Sequence, residues 1–148
     1  MKIEREITIE APPERVYDLL VDPQRLGDWV TIQDHLVEAP AGDLKEGSEL
    51  VQCLRLAHRR FNVRWTVSEA DPPQRIVWDG HGPLRSRASV VYELEADGEG
   101  RTRFRYVNDF HSPGGPLARI ADRALQGTSG READRSLEQL KRLLERSR

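Results

Sequence analysis

Cysteine is nearly missing: Cys53 is the only one in 148 residues. A lone cysteine excludes an internal disulfide and fits a reducing compartment. Long apolar runs are missing too, and no stretch approaches the ~18 residues of a membrane span. The opening Met1-Lys2-Ile3-Glu4-Arg5-Glu6-Ile7 lacks the basic-then-apolar order of a secretion signal. The expected location is the cytoplasm. Lysine is scarce: Lys2, Lys45 and Lys141 apart, the 23 basic residues are arginine, which base composition explains. A net charge of -2 gives no broad pull toward nucleic acid. His35, His58, His81 and His111 are isolated, without the close spacing of a zinc site. Gly80-His81-Gly82 and Pro113-Gly114-Gly115-Pro116 read as turns rather than phosphate loops. No metal and no cofactor is expected. Cys53 lies opposite Leu50 and Leu54 with no base visibly beside it, so a nucleophilic role is not expected.

The length fits one domain, residues 1–148, with a real core. The hydrophobic fraction of 37% and charged fraction of 32% fit a globular chain with a wet surface. The last third reads as one long helix from Pro116 to Arg146. Leu117, Ile120, Ala121, Ala124, Leu125, Ala133, Leu137, Leu140 and Leu144 recur at steps of three and four. Gly127-Thr128-Ser129-Gly130 interrupts that stripe, which predicts a kink or room for something else.

Upstream, Ile3, Ile7 and Ile9 alternate as a first strand, although Arg5 breaks the apolar side. Pro13 opens a short helix with Val16, Leu19 and Leu20 inward; a second short helix carries Leu26 and Trp29. Six further strands follow: Thr31–Glu38, one with Leu50, Leu54 and Leu56, one with Phe61, Val63, Trp65 and Val67, a short Ile76–Trp78, one with Ala88 to Ala96, and one with Phe104, Tyr106 and Phe110. Asp97-Gly98-Glu99-Gly100 is a hairpin signal. Alternation along a meander means an antiparallel sheet with one apolar face. The expected class is α+β, with the long helix covering that face.

The stretch Ile7-Thr8-Ile9-Glu10-Ala11-Pro12-Pro13-Glu14-Arg15-Val16-Tyr17-Asp18-Leu19-Leu20-Val21-Asp22-Pro23, then Trp29, resembles the start of START-related helix-grip proteins, the SRPBCC superfamily with its polyketide cyclase/dehydrase-like members. The likeness continues through Arg64-Trp65-Thr66-Val67, Phe104 to Phe110 and Pro113-Gly114-Gly115-Pro116, so it covers essentially the whole chain. It implies a helix-grip fold: a seven-stranded antiparallel sheet curved around the C-terminal helix, two short helices between strands one and two, and an apolar cavity. Members of that superfamily bind lipids, sterols, polyketides or plant hormones, and a few are enzymes.

The inward face and the small helix segment then give the candidate ligand-binding residues: Trp29, Gln52, Trp65, Trp78, Tyr92, Phe104, Tyr106, Asn108, Leu125, Thr128 and Ser129. A plain core is the alternative for each aromatic. The leading expectation is a carrier or sensor of a small hydrophobic molecule, such as a lipid, quinone or polyketide-like compound. An aromatase/cyclase-like enzyme without metal is the second reading, with Tyr92 and Tyr106 as proton carriers. Aromatase/cyclase members resembling this chain use a pocket arginine after the fourth-strand tryptophan and a tyrosine after the second short helix. The matching positions here are Ala70 or Glu69, and Leu36. The third reading is a protein or ribosome partner on a basic outer face with Arg55, Arg60, Arg64, Arg87, Arg103 and Arg105, against a solvated face balanced by Glu93, Glu95 and Asp109. Either a monomer or a homodimer is compatible with the sequence.

Overall fold

In the computed structural model, residues 1–146 are described, and the side chains of residues 117–119, 121–122 and 124–125 lie outside the description. The first strand, β1 (Lys2–Ile9), leads into α1 (Pro13–Leu20), a 3-10 turn (Pro23–Arg25) and α2 (Leu26–Trp29). Then come β2 (Gln33–Glu38), β3 (Glu49–Leu56), β4 (Arg59–Asp71), β5 (Arg75–His81), β6 (Arg87–Ala96) and β7 (Thr102–His111), and α3 (Gly115–Arg146) closes the order. The strands make one antiparallel sheet ordered β1-β7-β6-β5-β4-β3-β2. Its two flanking strands, β1 and β2, are joined in sequence through the short helices. This is the helix-grip fold that the sequence predicts.

Local chemistry explains each boundary. Pro13 sits in the first helical turn of α1, where its missing N–H costs nothing. Asp22 accepts a hydrogen bond from the Gln24 N–H at 3.1 Å and starts the following turn. Val16, Leu19 and Leu20 of α1 and Leu137, Leu140 and Leu144 of α3 are all buried. Each contributes about 1.5–3 kcal/mol of burial. They meet Ile9, Ile76, Leu94 and Phe104 at the end of the sheet under the short helices. Lys141 Nζ donates to the Thr8 carbonyl at 2.7 Å, and the Glu10 N–H donates to Glu145 Oε2 at 2.9 Å. Those two bonds lash α3 along β1.

Three details depart from the sequence reading. Helix α3 runs unbroken through Gly127–Gly130. The fifth strand extends past Trp78 to His81, so Gly80 is a strand residue and not a turn. A Cβ on Gly80 would fall 2.6 Å from Cε3 and Cζ3 of Trp65. Gly80 lies directly across from Trp65 in the β4–β5 register, and the bare backbone leaves room for the indole. Finally, β2 carries two bulges, between Gln33 and His35 and between Leu36 and Glu38. Each inserts an extra residue, Asp34 and Val37, that has no cross-strand partner.

The β3–β4 hairpin closes through Ala57 and His58, both at positive φ (51° and 64°). A two-residue loop of this shape fits the strand twist, but it is normally built from asparagine and glycine.

Candidate functional site

Alternation along β4 to β7 places Trp65, Trp78, Tyr92, Phe104 and Tyr106 on the inner face, and α2 brings Trp29 to them. The rings form one network centred on Tyr92. Its centroid lies 6.1 Å from Trp29, 6.0 Å from Trp78, 5.7 Å from Phe104 and 5.7 Å from Tyr106. Trp65 joins through Trp78 at 5.8 Å. The contacts to Trp29 and Trp78, and between Trp65 and Trp78, are edge-on, the favoured geometry for aromatic quadrupoles.

Burial is graded along these strands. Phe104 is fully buried, and Trp29, Trp65, Trp78 and Tyr92 are buried. Tyr106, Asn108 and Phe110 on β7, Ala88 on β6 and Phe61 on β4 are only half-buried. The half-buried band lies toward the end of the sheet where β7 hands over to α3. The deep aromatics thus serve as core and floor, and the band beside them is where an apolar guest could touch the wall.

Polar groups on this face fall into two sets. Trp65 Nε1 donates to Gln52 Oε1 at 3.0 Å, and Gln52 Nε2 donates to Gln33 Oε1 at 2.8 Å. Gln52 is thereby committed within the protein. Asn108 is not: its Nδ2 donates to the Tyr106 hydroxyl at 3.1 Å, while its Oδ1 is buried without a partner among the described residues. Turning the amide over gives Oδ1 the tyrosine hydrogen and leaves Nδ2 unpaired, so one amide atom is orphaned either way. The indole N–H groups of Trp29 and Trp78 are also buried without a partner among the described residues. An orphaned buried polar group costs about 1–3 kcal/mol.

Burial pushes the Tyr92 hydroxyl well above the ordinary tyrosine pKa, with the neighbouring Tyr106 hydroxyl adding to it. Tyr106 is also raised by burial, partly offset by the Asn108 hydrogen bond and by the charge of Arg5. Both stay protonated through the physiological range and can donate.

Arg5 is the inward residue that sequence reading left unassigned. It lies opposite Tyr106 in the β1–β7 register. Its Nε donates to Asp134 Oδ1 of α3 at 2.6 Å. A Cβ on Gly130 would sit 2.9 Å from Arg5 Nη2. The small residue at Gly130 therefore makes room for a guanidinium, which accounts for that part of the interrupted stripe. The signal was visible as a charge at an apolar position.

The helix candidates lie apart from the aromatic wall. Thr128 lines a cleft of about 340 Å³ with Thr31, Ile32, Gln33, Asp34, Arg55, Leu56, Ala57 and Glu132. It also accepts a hydrogen bond from Arg131 at 3.2 Å. Ser129 is half-buried, and the side chain of Leu125 lies outside the described residues. The cleft is ionic in character, with Arg55, Asp34 and Glu132 on its walls.

The outer face divides in two. Across β1, β7 and β5 three arginines are paired: Arg103 reaches Glu6 at 3.3 Å, Arg105 reaches Glu4 at 3.3 Å and Glu93 at 3.5 Å, and Arg75 reaches Glu69 at 3.2 Å; Arg87 on β6 is exposed and makes none of these pairs. Toward β2, Arg60 and Arg64 pair more loosely, with Asp34 at 3.8 Å and Glu38 at 3.6 Å.

The sheet, the gripped helix and the aromatic inner wall define a START-related helix-grip protein. The chain belongs to the family described as polyketide cyclase/dehydrase and lipid transport, whose model matches residues 1–145. An uncharacterised protein of Mycobacterium tuberculosis is 26% identical over 141 residues, covering 93% of this chain and 96% of that one. A Thermus thermophilus protein has a similar structure, with a TM-score of 0.79 at 16% identity, covering 99% of both chains. Another similar structure is DynU16, a putative protein in the dynemicin biosynthetic locus, with a TM-score of 0.65 and 17% identity. The match covers 97% of this chain and 47% of DynU16. No helix among the described residues is long and apolar enough to cross a membrane.

Proposed function

We propose that this chain binds a small hydrophobic molecule against the aromatic inner face, as a carrier or sensor that leaves it chemically unchanged. One observation carries the reading: the half-buried end of an aromatic wall presents the Asn108 amide, whose Oδ1 is buried without a partner among the described residues. Ligand pockets combine apolar walls with a few placed polar groups of this kind. The family description, which includes lipid transport, supports the same class of guest. Tyr106 and Phe110 would supply the surface over a floor of Trp78 and Tyr92, and Asn108 the orienting contact.

Native mass spectrometry of the purified protein, followed by organic extraction, tests the proposal. A bound lipid, quinone or polyketide-like compound is expected, and adding it back should raise the melting temperature. Asn108→Leu should weaken that rise while the unliganded protein stays folded. No co-purifying mass, and no such compound raising the melting temperature, would overturn it.

A catalytic reading draws on a separate observation, the two adjacent tyrosines that burial keeps protonated. In a cyclase-like reaction they would pass protons to a folded polyketide chain. Tyr92→Phe or Tyr106→Phe should then abolish product formation, and unchanged turnover in both would remove those roles.

A further inference from the structure

The bulge at Asp34 has a chemical result on the outer face of the sheet. In an unbulged strand, Asp34 and His35 would point to opposite faces. The extra residue lets both share the outer face with Cys53, which lies directly across from His35 in the β2–β3 register. The carboxylate, the imidazole and the thiol offer ligand atoms that all lie within 4.8 Å of one another. Sequence spacing gave no sign of this, because Cys53 stands on the next strand and only the register brings it alongside.

The microenvironment is ordered. His35 Nδ1 donates to Asp34 Oδ2 at 2.7 Å. That hydrogen bond, then the charges of Arg60, His35 and Arg55, hold the Asp34 carboxyl below the usual carboxylate range. Cys53 is 5% exposed and is one of the residues lining a groove of about 850 Å³. Arg60, 3.8 Å from the same carboxylate, competes for it and would remain as its outer partner.

We propose that Asp34, His35 and Cys53 form a binding site for a zinc-class divalent ion, with a thiolate, an imidazole nitrogen and a carboxylate oxygen as protein ligands. Such mixed sulfur, nitrogen and oxygen donors suit a borderline ion in tetrahedral geometry, with water as fourth ligand. On binding, the thiol releases its proton to solvent and the imidazole proton moves to Nε2. The metal then occupies the position between Nδ1 and the carboxylate. Two ligand charges balance the ion, so the site closes electrically neutral. The ion would pin the bulged β2 to β3. It lies on the face opposite the aromatic wall, so it does not depend on the hydrophobic-ligand reading.

The test uses untagged full-length protein with zinc chloride in calorimetry, and cobalt(II) as a spectroscopic probe. A single zinc ion per chain is expected, and cobalt should show a thiolate-to-metal charge-transfer band. Cys53→Ser should abolish that band. Cys53→Ser and His35→Ala should each weaken zinc binding by at least the roughly 10- to 100-fold that loss of an outer-shell partner costs. Asp34→Asn should weaken it as well. Unchanged thermal melts of the metal-free variants would show that the fold is intact. No zinc uptake by the parent protein, or uptake that survives in the Cys53→Ser/His35→Ala double variant, would overturn the proposal.

Discussion

Arg5 and Asp134 meet at 2.6 Å, joining the inner face of the first strand to the middle of the last helix across 129 positions of sequence. Gly130, one turn before Asp134, leaves space beside the guanidinium: a Cβ there would lie 2.9 Å from Arg5 Nη2. The pair is partly exposed, so its own contribution is expected to be small, about 0–1 kcal/mol. The coupling to Gly130 is more informative. In an Arg5→Met background, Gly130→Ala should stabilise the protein by about 0.8–1 kcal/mol, the ordinary helix gain. In the parent chain the gain should largely vanish, because the new methyl displaces the guanidinium. Urea denaturation of the four proteins measures the coupling; equal effects in both backgrounds would show that the glycine serves something else.

Gly80 is expected to tolerate no side chain. Its Cβ would meet the Trp65 ring at 2.6 Å and Val63 Cγ1 at 3.0 Å. Overpacking of this kind costs about 1–3 kcal/mol. Gly80→Ala should lower the urea midpoint accordingly. Trp65→Leu should remove most of that increment, since the clash is with the ring. An undiminished penalty beside Leu would place the strain in the backbone instead.

The Ala57–His58 turn can be improved. Left-handed backbone costs a non-glycine residue on the order of 1–2 kcal/mol. Replacing the pair with asparagine and glycine should raise stability by a similar amount without altering the sheet. Thermal melts read the gain, and a lower melting temperature would contradict the hairpin geometry.

Alkaline pH should unfold the protein through its buried tyrosines. Tyr17, Tyr92 and Tyr106 are all raised, chiefly by burial. Above the ordinary tyrosine pKa of about 10 the unfolded chain loses protons that the folded chain keeps. Stability is thus intact below about pH 10 and falls as pH rises toward the folded values. The urea midpoint, followed from about pH 8 to about pH 11, should decline, and Tyr92→Phe should flatten the decline. A slope unchanged by that variant would place the alkaline sensitivity elsewhere.

Much of the fold was legible because it rests on local periodicity. The three-and-four spacing from Pro116 onward specified one long helix, and alternation marked most of the strands, while the bulged second strand, Gln33–Glu38, shows little of it. The fifth was read short because glycine looks like a terminator, whereas Gly80 is there to lie under an indole on the neighbouring strand. The aromatic members of the inner wall were also legible, since a strand's two faces follow directly from sequence parity. What sequence could not grade was burial along the wall, which separates Phe104 from Asn108 and depends on where the helices lie. Nor could it place Thr128, which faces an ionic cleft. The Asp34, His35 and Cys53 cluster was hidden for a related reason: a bulge shifts parity by one, and no local signal marks it.

The ties from Lys141 and Glu145 to the backbone of β1, and the two irregularities in β2, have a joint consequence for self-association. Free hydrogen-bonding groups along a sheet's margin invite another chain to add a strand. Here helix side chains cap one margin at its end, at Thr8 and Glu10, and the other is out of step with any straight strand. Two copies are therefore not expected to extend a common sheet, and a homodimer would have to meet through side-chain surfaces.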